Sequence, residues 1–146
     1  MRRFFEALRA RPLKRLELVE GFECFMGSKG DWELLFENLP STLETLKIET
    51  HAKGLGDRGA GVLAKHLPSG LRKLDLCFNG NPIGGCGVGA KGALALVEAI
   101  PAGLETGSLY VADLRTSGPA YKRLRAALPR WPRGRLDGKH ITICRT

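Results

Sequence analysis

Leu39-Pro40-Ser41-Thr42-Leu43-Glu44-Thr45-Leu46-Lys47-Ile48 decides how this chain is read, because both halves of the stretch recur at near-constant distance. The first half returns as Leu67-Pro68-Ser69-Gly70-Leu71 and as Ile100-Pro101-Ala102-Gly103-Leu104. In each case an apolar residue and a proline are followed by two small or polar residues and a leucine. The second half, Leu-x-x-Leu-x-Ile, returns as Leu71-x-x-Leu74-x-Leu76. It is preceded by Leu13-x-x-Leu16-x-Leu18 and followed by a degraded Leu104-x-x-Gly107-x-Leu109. Unit starts at 13, 43, 71 and 104 are therefore 30, 28 and 33 residues apart. Such a period marks units that stack, since one unit alone cannot bury its apolar side.

Each unit carries two periodicities. The alternation Leu-x-Leu predicts a short strand with one buried face. Ahead of the junctions, Leu35/Leu39, Leu63/Leu67, Leu96/Ile100 and Leu124/Leu128 are spaced to lie above one another on a helix. Trp32, Ala60, Ala93 and Tyr121, seven residues before each terminal apolar position, complete the stripe, and Trp32 and Tyr121 read as core fillers. The proline ends the helix, and Gly70 or Gly103 suits a left-handed turn back into the strand. Phe4 and Leu8 repeat the helix-end spacing ahead of Leu13, so the N-terminus reads as half a unit, and Ile141-x-Ile143 reads as a closing strand. Trp131 reads either as a cap over the last unit or as an exposed contact.

The pattern resembles the leucine-rich repeat family, within it the ribonuclease-inhibitor-like class whose units run to about 28 residues. Asn79, Ile83, Gly84 and then Gly89-Ala90 or Gly92-Ala93 follow that family's loop in the third unit, and Leu55-Gly56-x-x-Gly59-Ala60 follows it in the second. The resemblance spans roughly residues 4–146. It implies an α/β leucine-rich-repeat solenoid with short parallel strands on the concave side and helices on the convex side. Residues 1–146 would then be a single domain of about four units, with a partial N-terminal helix unit and a closing C-terminal strand. Two departures stand out. Where unit three has Asn79, the others have Gly21, His51 and Ala112, so the side-chain ladder of that turn is mostly missing, and unit four has Gly107 where a leucine should fill the core. The loop from Gly21 to Gly30 is irregular.

A length of 146 residues argues for one domain, and 43% hydrophobic with 26% charged residues is a globular composition with no apolar run long enough for a membrane span. Net charge divides unevenly: residues 1–15 carry +5, residues 16–112 carry −4 and residues 113–146 carry +7. Both ends are basic, which bears on partners rather than on fold. Cys24, Cys77, Cys86 and Cys144 form no C-x-x-C pair and no framework spacing, so a reducing, intracellular and by default cytoplasmic setting is expected. An Arg-rich, acid-poor start also fits a mitochondrial presequence, a reading weakened by Glu6 and by the missing serines.

Catalytic and cofactor signals are weak. Gly87-Val88-Gly89-Ala90-Lys91-Gly92 satisfies G-x-G-x-x-G, but it begins ten residues after the strand end near Cys77, and Asp113 is poorly placed for a ribose. The segment reads as a lengthened repeat loop, with no cofactor expected. His51, His66 and His140 are isolated, and no metal spacing occurs. Cys77 and Cys144 share a strand column with unit four between them, about 9–10 Å apart, which is too far for a disulfide.

What remains is the strand face. The outward columns are Arg15/Thr45/Lys73/Thr106/His140, Glu17/Lys47/Asp75/Ser108/Thr142 and Val19/Glu49/Cys77/Tyr110/Cys144. Glu17, Lys47 and Asp75 alternate in sign and can pair across strands. The expectation is a non-catalytic module that binds a protein through Arg15, Glu17, Lys47, Glu49, Lys73, Asp75 and Tyr110, with no membrane contact and no small-molecule substrate. The alternative is a nucleic-acid or ribonucleoprotein contact through Arg2, Arg3, Arg9, Arg11 and Arg130, Arg133, Arg135, as a subunit of a larger assembly.

Overall fold

The computed structural model describes residues 2–19, 29–51, 55–79, 87–112, 114–131 and 133–144. Gly21, Cys24, Ile83, Gly84, Cys86 and Asp113 lie outside them, as do the side chains of Arg2 and Cys144. The elements alternate: α1 (Arg2–Ala10), β1 (Arg15–Leu18), α2 (Lys29–Glu37), β2 (Thr45–Thr50), α3 (Gly56–His66), β3 (Lys73–Phe78), α4 (Ala90–Ala99), β4 (Thr106–Val111) and α5 (Pro119–Ala127). A 3-10 turn, Leu128–Arg130, leads to β5 (Arg135–Asp137) and β6 (His140–Cys144). The protein is a mixed α/β fold with a six-stranded sheet in the order β1-β2-β3-β4-β6-β5.

β1 to β4 are parallel, and the register joins equivalent positions of the four units: Leu16 to Leu46, Leu46 to Leu74, Leu74 to Gly107. Alternate strand residues are buried, as a period of two demands. Leu46, Ile48, Leu74 and Leu76 share one core with Leu35, Leu63, Leu96 and Leu124 from the helices. Helices therefore cover one face of the sheet.

The junctions are built alike. Leu43, Leu71 and Leu104 donate their N–H groups to the carbonyls of Pro40, Pro68 and Pro101 at 3.2, 3.2 and 3.0 Å. Just before the last two prolines, Leu67 (φ −58°, ψ 123°) and Ile100 (φ −57°, ψ 126°) are extended, because proline disfavours a helical predecessor. The left-handed turns expected at Gly70 and Gly103 are absent; among the described residues positive φ occurs at Gly56, Gly87, Gly118 and Gly138. The i to i+3 turn does not need one, since Ser41-Thr42 makes it in unit two. Each junction then feeds the next strand in the same way. The Lys14 carbonyl accepts from the N–H groups of Glu44 and Thr45, that of Glu44 from Arg72 and Lys73, and that of Arg72 from Glu105 and Thr106, all at 2.8–3.1 Å.

Three expectations are corrected at the ends. In α1 the core residues are Phe5 (1% exposed) and Leu8, whereas Phe4 is 54% exposed and meets Phe5 edge to face. The closing strand β6 runs antiparallel to β4, so His140 pairs with Tyr110 and Cys144 with Thr106, exchanging their expected columns. The physical reason is the hairpin: Asp137 and His140 are partners across the two residues Gly138 (φ +56°) and Lys139, and so short a loop reverses the chain. Gly107 is a repacked core position. A Cβ there would come within 2.9 Å of Leu104 Cδ2, and its strand partner is the buried Ile143. No helix among the described residues is long and apolar enough to cross a membrane.

Candidate functional site

The sheet face turned away from the helices carries the predicted columns. Arg15, Thr45, Lys73 and Thr106 are neighbours across β1 to β4, as are Glu17, Lys47, Asp75 and Ser108, the latter continuing to Thr142. Glu49, Cys77, Tyr110 and His140 form the third column. Val19 lies beyond the β1 ladder and is exposed. A depression of about 380 Å³ runs across the first two columns, bordered by Glu17, Lys47, Lys73, Asp75 and Ser108.

The expected Glu17-Lys47-Asp75 pairing is not the one adopted. Glu17 is held by Arg15 of its own strand at 3.4 Å, and Asp75 Oδ1 accepts the Ser108 hydroxyl. Lys47 and Lys73 make no ion pair among the described residues, so two cations stand on this face beside carboxylates already engaged. At its rim the Tyr110 ring packs on His140, with centroids 4.7 Å apart and the planes inclined by 47°. That leaves a half-buried, amphipathic ring, the kind of side chain that anchors protein contacts.

Alternation of charge does occur, three residues earlier than expected. Lys14, Glu44, Arg72 and Glu105, each following the first leucine of its unit, alternate in sign at the strand entries. Lys14 Nζ donates to Glu44 Oε1 at 2.6 Å, and Arg72 Nη1 lies 3.3 Å from Glu105 Oε1. The Lys14 hydrogen bond and charge, with a lesser contribution from Arg72, hold the Glu44 carboxyl below the usual carboxylate range. Reading the position after each leading leucine as a column would have found this ladder.

The third column contains a thiol. Cys77 Sγ donates to Asn79 Oδ1 at 3.3 Å, and Asn79 Nδ2 lies 3.4 Å from His51 Nε2. Asn79 thus joins the ends of β2 and β3 through His51, the residue at the equivalent position of the preceding unit. Burial, and to a lesser degree the charge of Glu49, push the Cys77 thiol up from its ordinary pKa, which is the reverse of nucleophile activation. Cys77 and Cys144 occupy different columns. No group of three or more histidine, cysteine or carboxylate side chains at metal-binding distance occurs among the described residues.

The G-x-G-x-x-G segment opens α4, where a bound phosphate would meet the helix N-terminus. That place is taken by the protein's own carboxylate: Asp57 Oδ1 accepts the N–H groups of Gly89 at 2.7 Å and Gly92 at 2.8 Å. A Cβ on Gly92 would stand 2.8 Å from the same oxygen and 2.9 Å from Ala60 Cβ, so this glycine serves unit packing. Of the aromatic residues singled out, Trp32 is fully buried and Tyr121 half-buried against the core. Trp131 is also half-buried on the core, and its backbone N–H donates to the Leu128 carbonyl at 2.9 Å, which makes it the cap rather than an exposed contact.

The basic ends lie apart. Arg3, Arg9 and Arg11 belong to α1 and its exit, before the edge strand β1, whereas Arg130 and Arg133 precede Arg135 on the opposite edge strand β5. All six are exposed and form no ion pair among the described residues. Comparison with protein-family models, with curated proteins and with solved structures gave no match.

Proposed function

We propose that this chain is a short leucine-rich-repeat solenoid that binds another protein through its exposed strand face and catalyses nothing. What supports the repeat reading is the identity of the unit junctions: the same proline turn three times and the same doubly accepting carbonyl at three successive strand entries. The observation that carries the binding reading is the outward face itself. Strands β1 to β3 in register present Arg15, Glu17, Lys47, Glu49, Lys73 and Asp75 as continuous columns, Lys47 and Lys73 making no ion pair among the described residues, with Tyr110 of β4 at the rim. Desolvating such a mixed polar surface is favourable only against a partner of complementary charge, which makes recognition specific rather than merely adhesive.

The test is affinity capture of the folded protein with and without nuclease. Protein partners recovered equally in both arms, and lost from Tyr110→Ala at an unchanged thermal midpoint, are the expected result. A large drop in the midpoint with recovery unaltered would overturn the assignment of Tyr110 to the binding face.

The second reading, nucleic-acid contact through Arg3, Arg9, Arg11, Arg130, Arg133 and Arg135, is favoured by their forming no ion pair among the described residues and opposed by their placement at opposite ends of the sheet. The two clusters belong to opposite ends of a six-stranded sheet, whose edge strands β1 and β5 are five spacings of about 4.8 Å apart, so they do not read as one basic patch. Nuclease-sensitive recovery, with binding that weakens steeply with salt and less steeply in an Arg130, Arg133 and Arg135 triple alanine variant, would replace the first reading by this one.

A further inference from the structure

A cavity of about 690 Å³ lies off the C-terminal ends of β3 and β4, away from the columns described above. Three cations from separate parts of the chain converge on its wall: Lys91 from the first turn of α4, Arg115 from the connection between β4 and α5, and Lys139 from the β5–β6 turn. None makes an ion pair among the described residues. Among the described residues the carboxylate on the wall is Asp57, already bonded to the N–H groups of Gly89 and Gly92. All three cations are solvent-exposed, and together they give the hollow a positive potential that favours an anion.

We propose that this cavity binds a small molecule bearing two or more phosphoryl charges. The charge count points to a diphosphate rather than a single carboxylate, since Lys91, Arg115, Lys139 and Asp57 leave a net +2 among the described residues of the wall. The volume lies within the ordinary range of small-ligand pockets and exceeds what one phosphate fills. Besides the cations, the wall offers the Ser117 hydroxyl and the first turn of α5 at Ala120, which has no side-chain cap. The floor is aliphatic, with Val88 and Leu114, and no aromatic ring lines it among the described residues, so the site suits a sugar-like or inorganic diphosphate better than a stacked base. The proposal is independent of the binding function assigned to the strand face.

Calorimetric titration with inorganic pyrophosphate at low ionic strength tests it, with orthophosphate and sulfate as further arms. One saturable site is expected, weaker for orthophosphate and sulfate. Lys91→Ala, Arg115→Ala and Lys139→Ala should each weaken it about tenfold, the cost of one charge-assisted hydrogen bond. Lys91→Arg should keep most of the affinity. Asp57→Asn should tighten binding several-fold, because the amide oxygen still accepts from Gly89 and Gly92 while the negative charge is gone. Lys65→Ala, on the exposed side of α3, and Tyr110→Ala should leave it unchanged. Absence of saturable pyrophosphate binding by the wild-type protein up to about 10 mM, or an equal loss in Lys65→Ala and the cavity variants, overturns the proposal; the second result would mean diffuse attraction to a basic surface. Should a cavity variant fail to fold, the Asp57→Asn and Lys91→Arg titrations decide.

Discussion

Two glycines in neighbouring helices show how little a residue type says without its surroundings. A methyl group on Gly92 would be driven against Asp57 Oδ1, Ala60 Cβ and Val88 Cγ1, all within 3.1 Å, whereas one on Gly61 in α3 would meet nothing within 4 Å. Gly61→Ala should therefore stabilise the protein by about 0.5–1 kcal/mol through helix propensity, and Gly92→Ala should destabilise it by about 1–3 kcal/mol despite the same propensity gain. Urea unfolding of the two variants checks the opposite signs. Cys77 makes a second case. Its pKa is raised in the folded protein, so the thiol stays protonated at neutral pH. Folding stability linked to it is fully present below the thiol's unfolded pKa and falls as pH rises through the folded one. In a variant with Cys24, Cys86 and Cys144 replaced by serine, alkylation of Cys77 should be slower at pH 8 than that of a free cysteine, and Glu49→Gln should speed it. A rate matching free cysteine would contradict the burial that sets this shift.

At the scale of elements, units are joined by side chains that cross from one to the next. Asp57 belongs to the first turn of α3 yet satisfies the orphan N–H groups at the start of α4, whose N-cap, Gly89, has no side chain to do so. Asp57→Ala should cost about 0.5–2 kcal/mol in urea unfolding, and Asp57→Asn much less, because the cap needs an acceptor more than a charge. Equal costs would show that the charge, through the helix dipole, is the larger part. Arg58 adds a fork-like pair to Glu33 on α2, with Nε 2.9 Å from Oε1 and Nη2 3.2 Å from Oε2, on the exposed side where ion pairs contribute little. The two links differ in what they satisfy: Asp57 fills backbone N–H groups at a helix start, one of them on the buried Gly92, whereas Arg58 and Glu33 are side chains that water can also serve.

Over the whole molecule, a parallel sheet grown unit by unit has two edges to protect. The N-terminal edge is the short β1, flanked by α1 with Phe5 and Leu8 in the core. The C-terminal end is closed by the β5–β6 hairpin, which places Ile141 and Ile143 in the core and leaves only the three-residue β5 outermost. A chain ending after Trp131 should expose β4 as an open edge, lose stability and self-associate. Size-exclusion chromatography over a range of concentrations and thermal unfolding check this. A truncated monomer with an unchanged midpoint would show that the hairpin is an ornament of the sheet and not its cap.

The parallel strands β1 to β4, their outward columns and the helix stripes from Trp32 onward were legible in the linear pattern, because period two, period 3.6 and the unit length of near 30 are properties of neighbours along the chain. Arg15, Glu17, Lys47, Glu49, Lys73, Asp75 and Tyr110 fell on one face for that reason. Direction of pairing is a different matter. Ile141-x-Ile143 alternates identically whether parallel or antiparallel; β5 runs in the direction of β4, and the two-residue turn at Gly138-Lys139, marked in the sequence by Asp137-Gly138, reverses the chain into β6. The partners of charges also escaped the pattern. Register brings Lys47 between Glu17 and Asp75, yet Arg15 and Ser108 reach those carboxylates first. Asp57 finds Gly89 and Gly92 more than 30 residues away, and Lys91, Arg115 and Lys139 meet around one cavity, because stacking turns residues distant in sequence into neighbours in space. Local periodicity determines which face a side chain takes, while which other side chain it meets there depends on the packed geometry of all the units together.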